Sequence, residues 1–201
     1  MNPILILGTG LAGYTVAREF RKLDTTTPLT LLTRDDGSFY SKPVLSNALA
    51  QKKAAAQIAL NSAADMTRQL RATIHTNLEV TAIDTAARTV TTRNGPTLAY
   101  DKLVLAPGAD PMVPPMAGDG APDVMTIHDL ADYTRWRARL EGRERVAIIG
   151  GGLIGCEFAN DLRLGGYAVT VIDPADRPVA RLLPPATANA LRGALEEAGV
   201  T

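Results

Sequence analysis

The sequence predicts an α/β fold of three layers, built on two strand–turn–helix units of which the second is cut short. Three observations point to it. The pattern Gly-x-Gly-x-x-Gly occurs twice, as Gly8-Thr9-Gly10-Leu11-Ala12-Gly13 and as Gly150-Gly151-Gly152-Leu153-Ile154-Gly155. Each copy follows a short apolar run, as expected of a strand buried on both faces. Each then leads into a stretch with apolar residues at helical spacing, and strands that alternate with helices build parallel sheets.

The elements follow in order. Ile4 to Leu7 reads as a buried strand, and Leu11 to Leu23 as a helix with Leu11, Tyr14, Val16, Ala17, Phe20 and Leu23 near one spacing. Thr25 to Pro28 breaks it, and Leu29 to Leu32 forms the second strand of a right-handed crossover. Ser41-Lys42-Pro43 has a cap residue followed by an early proline, the signature of a helix start. A helix is expected over about Ser62 to Leu70. Leu78 to Tyr100 alternates in short runs around the turns Asp84-Thr85-Ala86-Ala87 and Asn94-Gly95-Pro96, and reads as an antiparallel meander. Leu103 to Ala106 returns as a buried strand, and Pro107 to Pro122 is a proline- and glycine-rich linker. A helix over about Asp129 to Leu140 precedes the second unit, which starts with the strand Val146 to Ile149 and runs to Asp173. Pro184-Pro185 opens a last helix, about Ala186 to Ala198, and Val200-Thr201 reads as the start of another strand. The expected domains are therefore 1–111, with the meander at 78–100, a linker and connecting helix at 112–143, and an incomplete unit at 144–201.

Composition narrows the function classes. Hydrophobic residues make up 46% and charged residues 21%, an ordinary balance for a soluble domain. The formal charge is zero with no long basic block, which argues against nucleic acid or an anionic membrane as main partner. The single cysteine, Cys156, excludes an intrachain disulfide and lends no support to a thiolate metal site. The apolar start Pro3 to Leu7 has no basic leader and is too short for a bilayer span, so a soluble cytoplasmic protein is expected. His75 and His128 are isolated, without metal-ligand spacing, and receive no chemistry. Trp136 and Cys156 fall in helical apolar patterns and read as packing residues.

The glycines carry the chemistry. The first permits a tight turn, the second lets backbone approach a pyrophosphate, and the third allows a helix to pack closely on its strand. Amides at the helix N-terminus then receive phosphate charge. One such Rossmann-like motif suggests a dinucleotide site, and two suggest hydride transfer between a pair of dinucleotides. An acidic residue about 20 positions on holds a ribose. In the second unit Asp173 stands there, which favours NAD(H) because a carboxylate repels the extra phosphate of NADP. The first unit departs from the rule. Thr33 and Arg34 follow the strand, with Asp35 and Asp36 only later. Thr33 offers a hydroxyl or backbone to a ribose, and Arg34 either lies on adenine or a phosphate or, taken alone, points to NADP.

The chain resembles the FAD-dependent pyridine-nucleotide reductases, and within them the rubredoxin-reducing branch. The stretches that support this are Gly8 to Gly13, Arg21-Lys22-Leu23-Asp24, Asp35-Asp36-Gly37, Tyr40-Ser41-Lys42-Pro43, and Gly152 to Leu162. The resemblance implies FAD at the first fingerprint and NADH at the second. Thr9 to Ala12 would contact the FAD phosphates and Thr33 and Arg34 its adenosine portion, while the backbone of Val80 would pair with adenine. Lys42 would approach the flavin ring, where a cation stabilises the negative charge that arrives with hydride. Read locally it is an exposed lysine at a helix start. Glu157 would stand between flavin and nicotinamide, although an acid also suits the positive end of a helix. Ala106-Pro107-Gly108 replaces the family's Ala-Thr-Gly and loses a hydroxyl and an amide. No Cys-x-x-x-x-Cys pair is present, which excludes the disulfide-reducing branch.

By that resemblance electrons pass from NADH through FAD to a small iron protein. Rubredoxin is the acceptor it implies, in service of an alkane-oxidising monooxygenase, with a ferredoxin or a flavorubredoxin as close alternatives. Family members continue past this point and add a C-terminal interface domain. A second reading is therefore a nucleotide-binding fragment without turnover.

Overall fold

A computed structural model describes residues 1–201 as two compact units. The first comprises Met1–Ser41 and Ala59–Met112, and the second Lys42–Ile58 and Val113–Thr201.

In the first unit, β1 (Ile4–Leu7), α1 (Leu11–Leu23) and β2 (Leu29–Leu32) form the crossover. α2 (Ala63–Leu70) and β3 (Thr73–His75) follow, then β4 (Val80–Asp84), β5 (Thr89–Thr92), β6 (Leu98–Ala99) and β7 (Lys102–Leu105). Four strands make a parallel sheet in the order β3-β2-β1-β7. The order reverses at β1, whose C-terminal end is thus a switch point, where open α/β sheets bind ligands.

The apolar runs of β1 and β2 are explained by burial on both faces. Ile6, Leu29 and Leu31 pack against Tyr14 and Ala17 of α1 and Met66 and Leu70 of α2. On the opposite face Leu5, Leu7 and Leu32 meet Val90 and Tyr100 of the meander. Helices, parallel sheet and meander are the three layers. The meander pairs in the order β4-β5-β6, with a bulge between Val80 and Ala82.

α2 begins with a reciprocal cap. Ser62 Oγ accepts the Asp65 amide at 3.1 Å, while the Asp65 carboxylate accepts the Ser62 amide at 3.0 Å. This satisfies two donors that a helix start leaves open.

The second unit contains α3 (Leu130–Arg139), β8 (Arg145–Ile149), α4 (Leu153–Leu164), β9 (Ala168–Ile172) and α5 (Pro185–Glu197). β8 and β9 pair in parallel, and Val200 bridges Val169 on the outer side of β9. Tyr133, Trp136 and Phe158 meet in a tilted and then an edge-to-face contact, with ring centroids 5.3 and 5.6 Å apart, and join α3 to α4. Trp136 and Cys156 are buried as packing residues. No helix is long and apolar enough to cross a membrane.

Three features differ from the sequence reading. Residues 42–58, expected within the first domain, group with the second unit, and so do α3 and the residues from Val113 onward. The helix expected from Ser41 is a single 3-10 turn over Lys42–Ser46. Its cause is local: Ser46 Oγ and Asn47 Nδ2 both donate to Pro43 O, at 3.1 and 2.9 Å, where an α-helical amide would bond. Strand β3 was not expected, because three residues with only Ile74 strongly apolar give no period.

The third glycine of each fingerprint is where the folds are tightest. A Cβ on Gly13 would lie 1.9 Å from Gly8 O, and one on Gly155 1.9 Å from Gly150 O. Around Gly10 and Gly152 there is open space. Gly13→Ala and Gly155→Ala should each lower the unfolding free energy by about 1–3 kcal/mol in urea titration. Gly10→Ala should change it by less than about 1 kcal/mol.

Candidate functional site

Each fingerprint wraps a helix start around the end of a strand. Gly8 follows β1 with a φ of 103°, and Gly150 follows β8 with a φ of 110°, conformations open to glycine alone at little cost. A side chain on Gly8 would also strike Ala106 O, at 2.0 Å, where the chain leaves β7. The helices then begin at Leu11 and Leu153 with glycine at the N-cap and no side-chain cap. Neither first turn contains an acidic residue. The first intrahelical bonds come from Tyr14 to Gly10 O and from Cys156 to Gly152 O, which leaves the preceding amides to point out of the helix. Leu11, Ala12, Leu153 and Ile154 are exposed beside them. Uncapped amides, the positive end of a helix and open space at the second glycine form a cradle for a phosphate.

The cradles differ in their flanks. In the second unit Asp173, just past β9, accepts the Gly151 amide at 2.6 Å and the Ala175 amide at 2.7 Å. It lines a pocket with Cys156, Pro178, Arg177 and Arg192. Burial, with the charges of Asp173 and Glu157, pushes the Cys156 thiol above its ordinary range, so it is a poor nucleophile.

In the first unit Thr33 is buried and its groups are engaged. Its amide donates to His75 O, its carbonyl accepts the Leu78 amide, and its hydroxyl donates to Asp35 at 2.6 Å. Arg34 is exposed and paired with Asp110. Val80 begins β4, an edge strand of the meander, two residues beyond the Leu78 contact. Tyr14 ties α1 to the loop after β2 by donating to Gly37 O at 2.5 Å, and its burial raises the hydroxyl's pKa.

Lys42 and Glu157 both belong to the second unit. Lys42 Nζ lies 3.4 and 3.2 Å from the two ring nitrogens of His128, a residue to which the sequence assigned no chemistry. Glu157, on α4, accepts from the buried Ser46 hydroxyl at 2.7 Å. One turn further along α4, buried Asp161 accepts the amides of Leu49 and Ala50 at 3.1 and 2.8 Å. Arg137 donates to Lys53 O at 3.1 Å. These bonds hold the Lys42 segment to α4 and α3. Sequence reasoning missed Ser46 and Asp161, since contacts more than 100 residues apart leave no local pattern.

Comparison with known proteins follows the same lines. Residues 2–201 match the family model described as pyridine nucleotide-disulphide oxidoreductase. A rubredoxin-NAD(+) reductase of Alcanivorax borkumensis is 44% identical over 200 residues, 100% of this chain and 52% of that protein. A nitric oxide reductase FlRd-NAD(+) reductase of Vibrio vulnificus is 38% identical over 199 residues, 99% of this chain and 52% of that one. Among solved structures, the reductase of a covalent putidaredoxin reductase–putidaredoxin complex superposes with a TM-score of 0.88 at 30% identity, over 99% of this chain and 48% of that chain. The chain spans about half the length of the curated relatives it matches.

Burial raises the Asp161 carboxyl above its ordinary 3.8, against the two amide bonds and Arg137. An acid raised in the folded state binds its proton there longer than in the unfolded chain. Its contribution therefore falls as pH climbs from about 3.8 through the raised value. Asp161→Asn should be less stable overall, since one amide oxygen replaces two acceptors. Wild type's advantage over it should shrink as pH rises through that window, as read by urea unfolding at a series of pH values.

Proposed function

Because this chain belongs to the pyridine nucleotide-disulphide oxidoreductase family, we propose that it is the nucleotide-binding part of a reductase that takes hydride from NADH onto FAD and passes electrons to a small carrier protein. The observation that supports this most is the repetition of one cradle at two strand ends, each with a glycine-packed helix start and uncapped amides. FAD fits the first, whose sheet continues to Ala106 and whose meander edge begins at Val80. NADH fits the second, whose acid is Asp173. Bound FAD supplies a ring that accepts hydride and gives up electrons singly.

The protein groups bind and orient. In this reading Gly8, Thr9, Gly10, Leu11, Ala12 and Gly13 hold the FAD pyrophosphate through backbone amides. Thr33, Arg34 and Val80 border its adenosine. Gly150, Gly152, Leu153, Ile154 and Gly155 receive the pyrophosphate of NADH, and the Asp173 carboxylate accepts from its adenosine ribose. Lys42 brings a positive charge to the flavin ring, steadied by the His128 imidazole. Glu157, held by Ser46, presents a carboxylate to the nicotinamide side. No side-chain nucleophile or metal takes part.

Rubredoxin is the favoured acceptor, on the strength of the relative named for it; alkane oxidation in the cytoplasm is the setting that the family resemblance implies. A flavorubredoxin is the second reading, favoured by the Vibrio relative.

Flavin and nicotinamide binding test the assignment separately. Gly10→Leu should weaken FAD binding by about 10-fold or more and spare NADH, whereas Gly152→Leu should do the reverse. Unchanged affinities in both titrations would remove the basis of the proposal. Asp173→Ala should cost NADH roughly 10-fold or more in affinity, and NADPH far less, through loss of charge-assisted bonds to the ribose.

A further inference from the structure

We propose that Asp35 supplies the ribose-binding carboxylate of the first cradle, a role that Thr33 occupies by position but does not perform. The inference rests on the reading of that cradle as the FAD site. It comes from setting the two units of the same chain side by side.

In the second unit the acid past the strand touches the second residue of the fingerprint: the Gly151 amide donates to Asp173. In the first unit a different acid meets the second fingerprint residue, through a side-chain hydroxyl instead of a backbone amide. Thr9, the second fingerprint residue, is buried, and its hydroxyl lies 3.3 Å from Asp35 Oδ1. Thr33, at the position equivalent to Asp173, donates its hydroxyl to that same oxygen at 2.6 Å. The Gly37 amide adds a third bond at 2.9 Å and closes an Asx turn. That turn carries Asp35, two residues further along the chain, back over the strand end.

Three donors converge on Oδ1, which fixes the carboxylate plane. Oδ2 makes no hydrogen bond within the protein and is not buried. An ionised carboxylate only accepts, and a ribose diol offers two donors. Asp36 is not equivalent, because it is exposed and its two oxygens accept from the Ser38 amide and hydroxyl at 2.9 Å each. The neighbouring Arg34 is paired with Asp110. Thr9 and Thr33 are positioning residues, acting on the ribose through Asp35.

The test compares Asp35→Asn with wild type in titrations of two flavins, followed by fluorescence quenching. One is FAD, and the other is FAD whose adenosine lacks the 2′ and 3′ hydroxyls. Asp35→Asn should weaken FAD roughly 10- to 100-fold, the scale of a lost charge-assisted bond. It should leave the dideoxy analogue, already weak for wild type, almost unchanged. Equal losses for both flavins would reduce Asp35 to a turn former and overturn the proposal, as would no loss for either. If Asp35→Asn fails to fold by circular dichroism, Thr9→Val takes its place. It should weaken FAD selectively, by about 3- to 10-fold, because the carboxylate loses one of its three anchors. Wild type that binds neither flavin would instead overturn the FAD reading of the cradle, a result distinct from the others.

Discussion

The contact on which both units depend is the approach of a helix onto the carbonyl of the glycine that follows the preceding strand. At Gly13 and Gly155 there is no room for a single carbon beyond the backbone. That closeness brings the first turn of the helix level with the strand end, so its unpaired amides face outward at the sheet's edge. Anything larger would push the helix away and spread the amides that form the cradle. Packing and the proposed binding are therefore one constraint here: the same glycine that seats the helix aims the amides proposed to receive phosphate.

A second consequence concerns Lys42. The sequence placed it in the first domain, close along the chain to the first fingerprint. The structure attaches its segment to the helix of the second fingerprint through two carboxylates one turn apart, Glu157 and Asp161. The lysine proposed to face the flavin and the glutamate proposed to face the nicotinamide are thus fixed within one body. Ser46 and the Leu49 and Ala50 amides tie the Lys42 segment to α4 by part-buried hydrogen bonds. This attachment also gives the raised carboxyl of Asp161 a reason to be tolerated: its burial is the cost of two satisfied amides in a segment that is otherwise only a 3-10 turn.

At Thr33 the first unit departs from a local rule, and the role proposed for Asp35 would meet that rule by other means. A carboxylate is absent from the usual position, and a Thr-Arg-Asp-Asp-Gly run follows the strand instead. An Asx turn at Asp35 and Gly37 returns an acid to the same place and binds it to two threonine hydroxyls. Asp followed two residues later by glycine suits such a turn, but it was read in the sequence only as part of the family resemblance. What the spacing did not reveal was the direction in which the turn points.

At the level of sequence alone, apolar periodicity determined the alternation of strand and helix, glycine spacing the two fingerprint turns, and turn, proline and glycine residues the meander and the linker. The reason is physical: in β1 and on the Gly13, Tyr14 and Ala17 face of α1 local propensity and tertiary burial agree, whereas β8, read from its apolar run as a buried strand, has no fully buried residue. Family membership and the pair of glycine-bounded helix starts were also legible, because they reside in those same motifs. Only the tertiary structure revealed the short edge strand at Thr73–His75, whose order comes from pairing with β2 rather than from its own pattern. Only it assigned residues 42–58 to the second unit, through bonds from Asp161 and Glu157 that bridge 111 or 112 positions. Hydrogen bonds across such separations depend on where two distant segments are brought by packing, and no window of sequence contains that information.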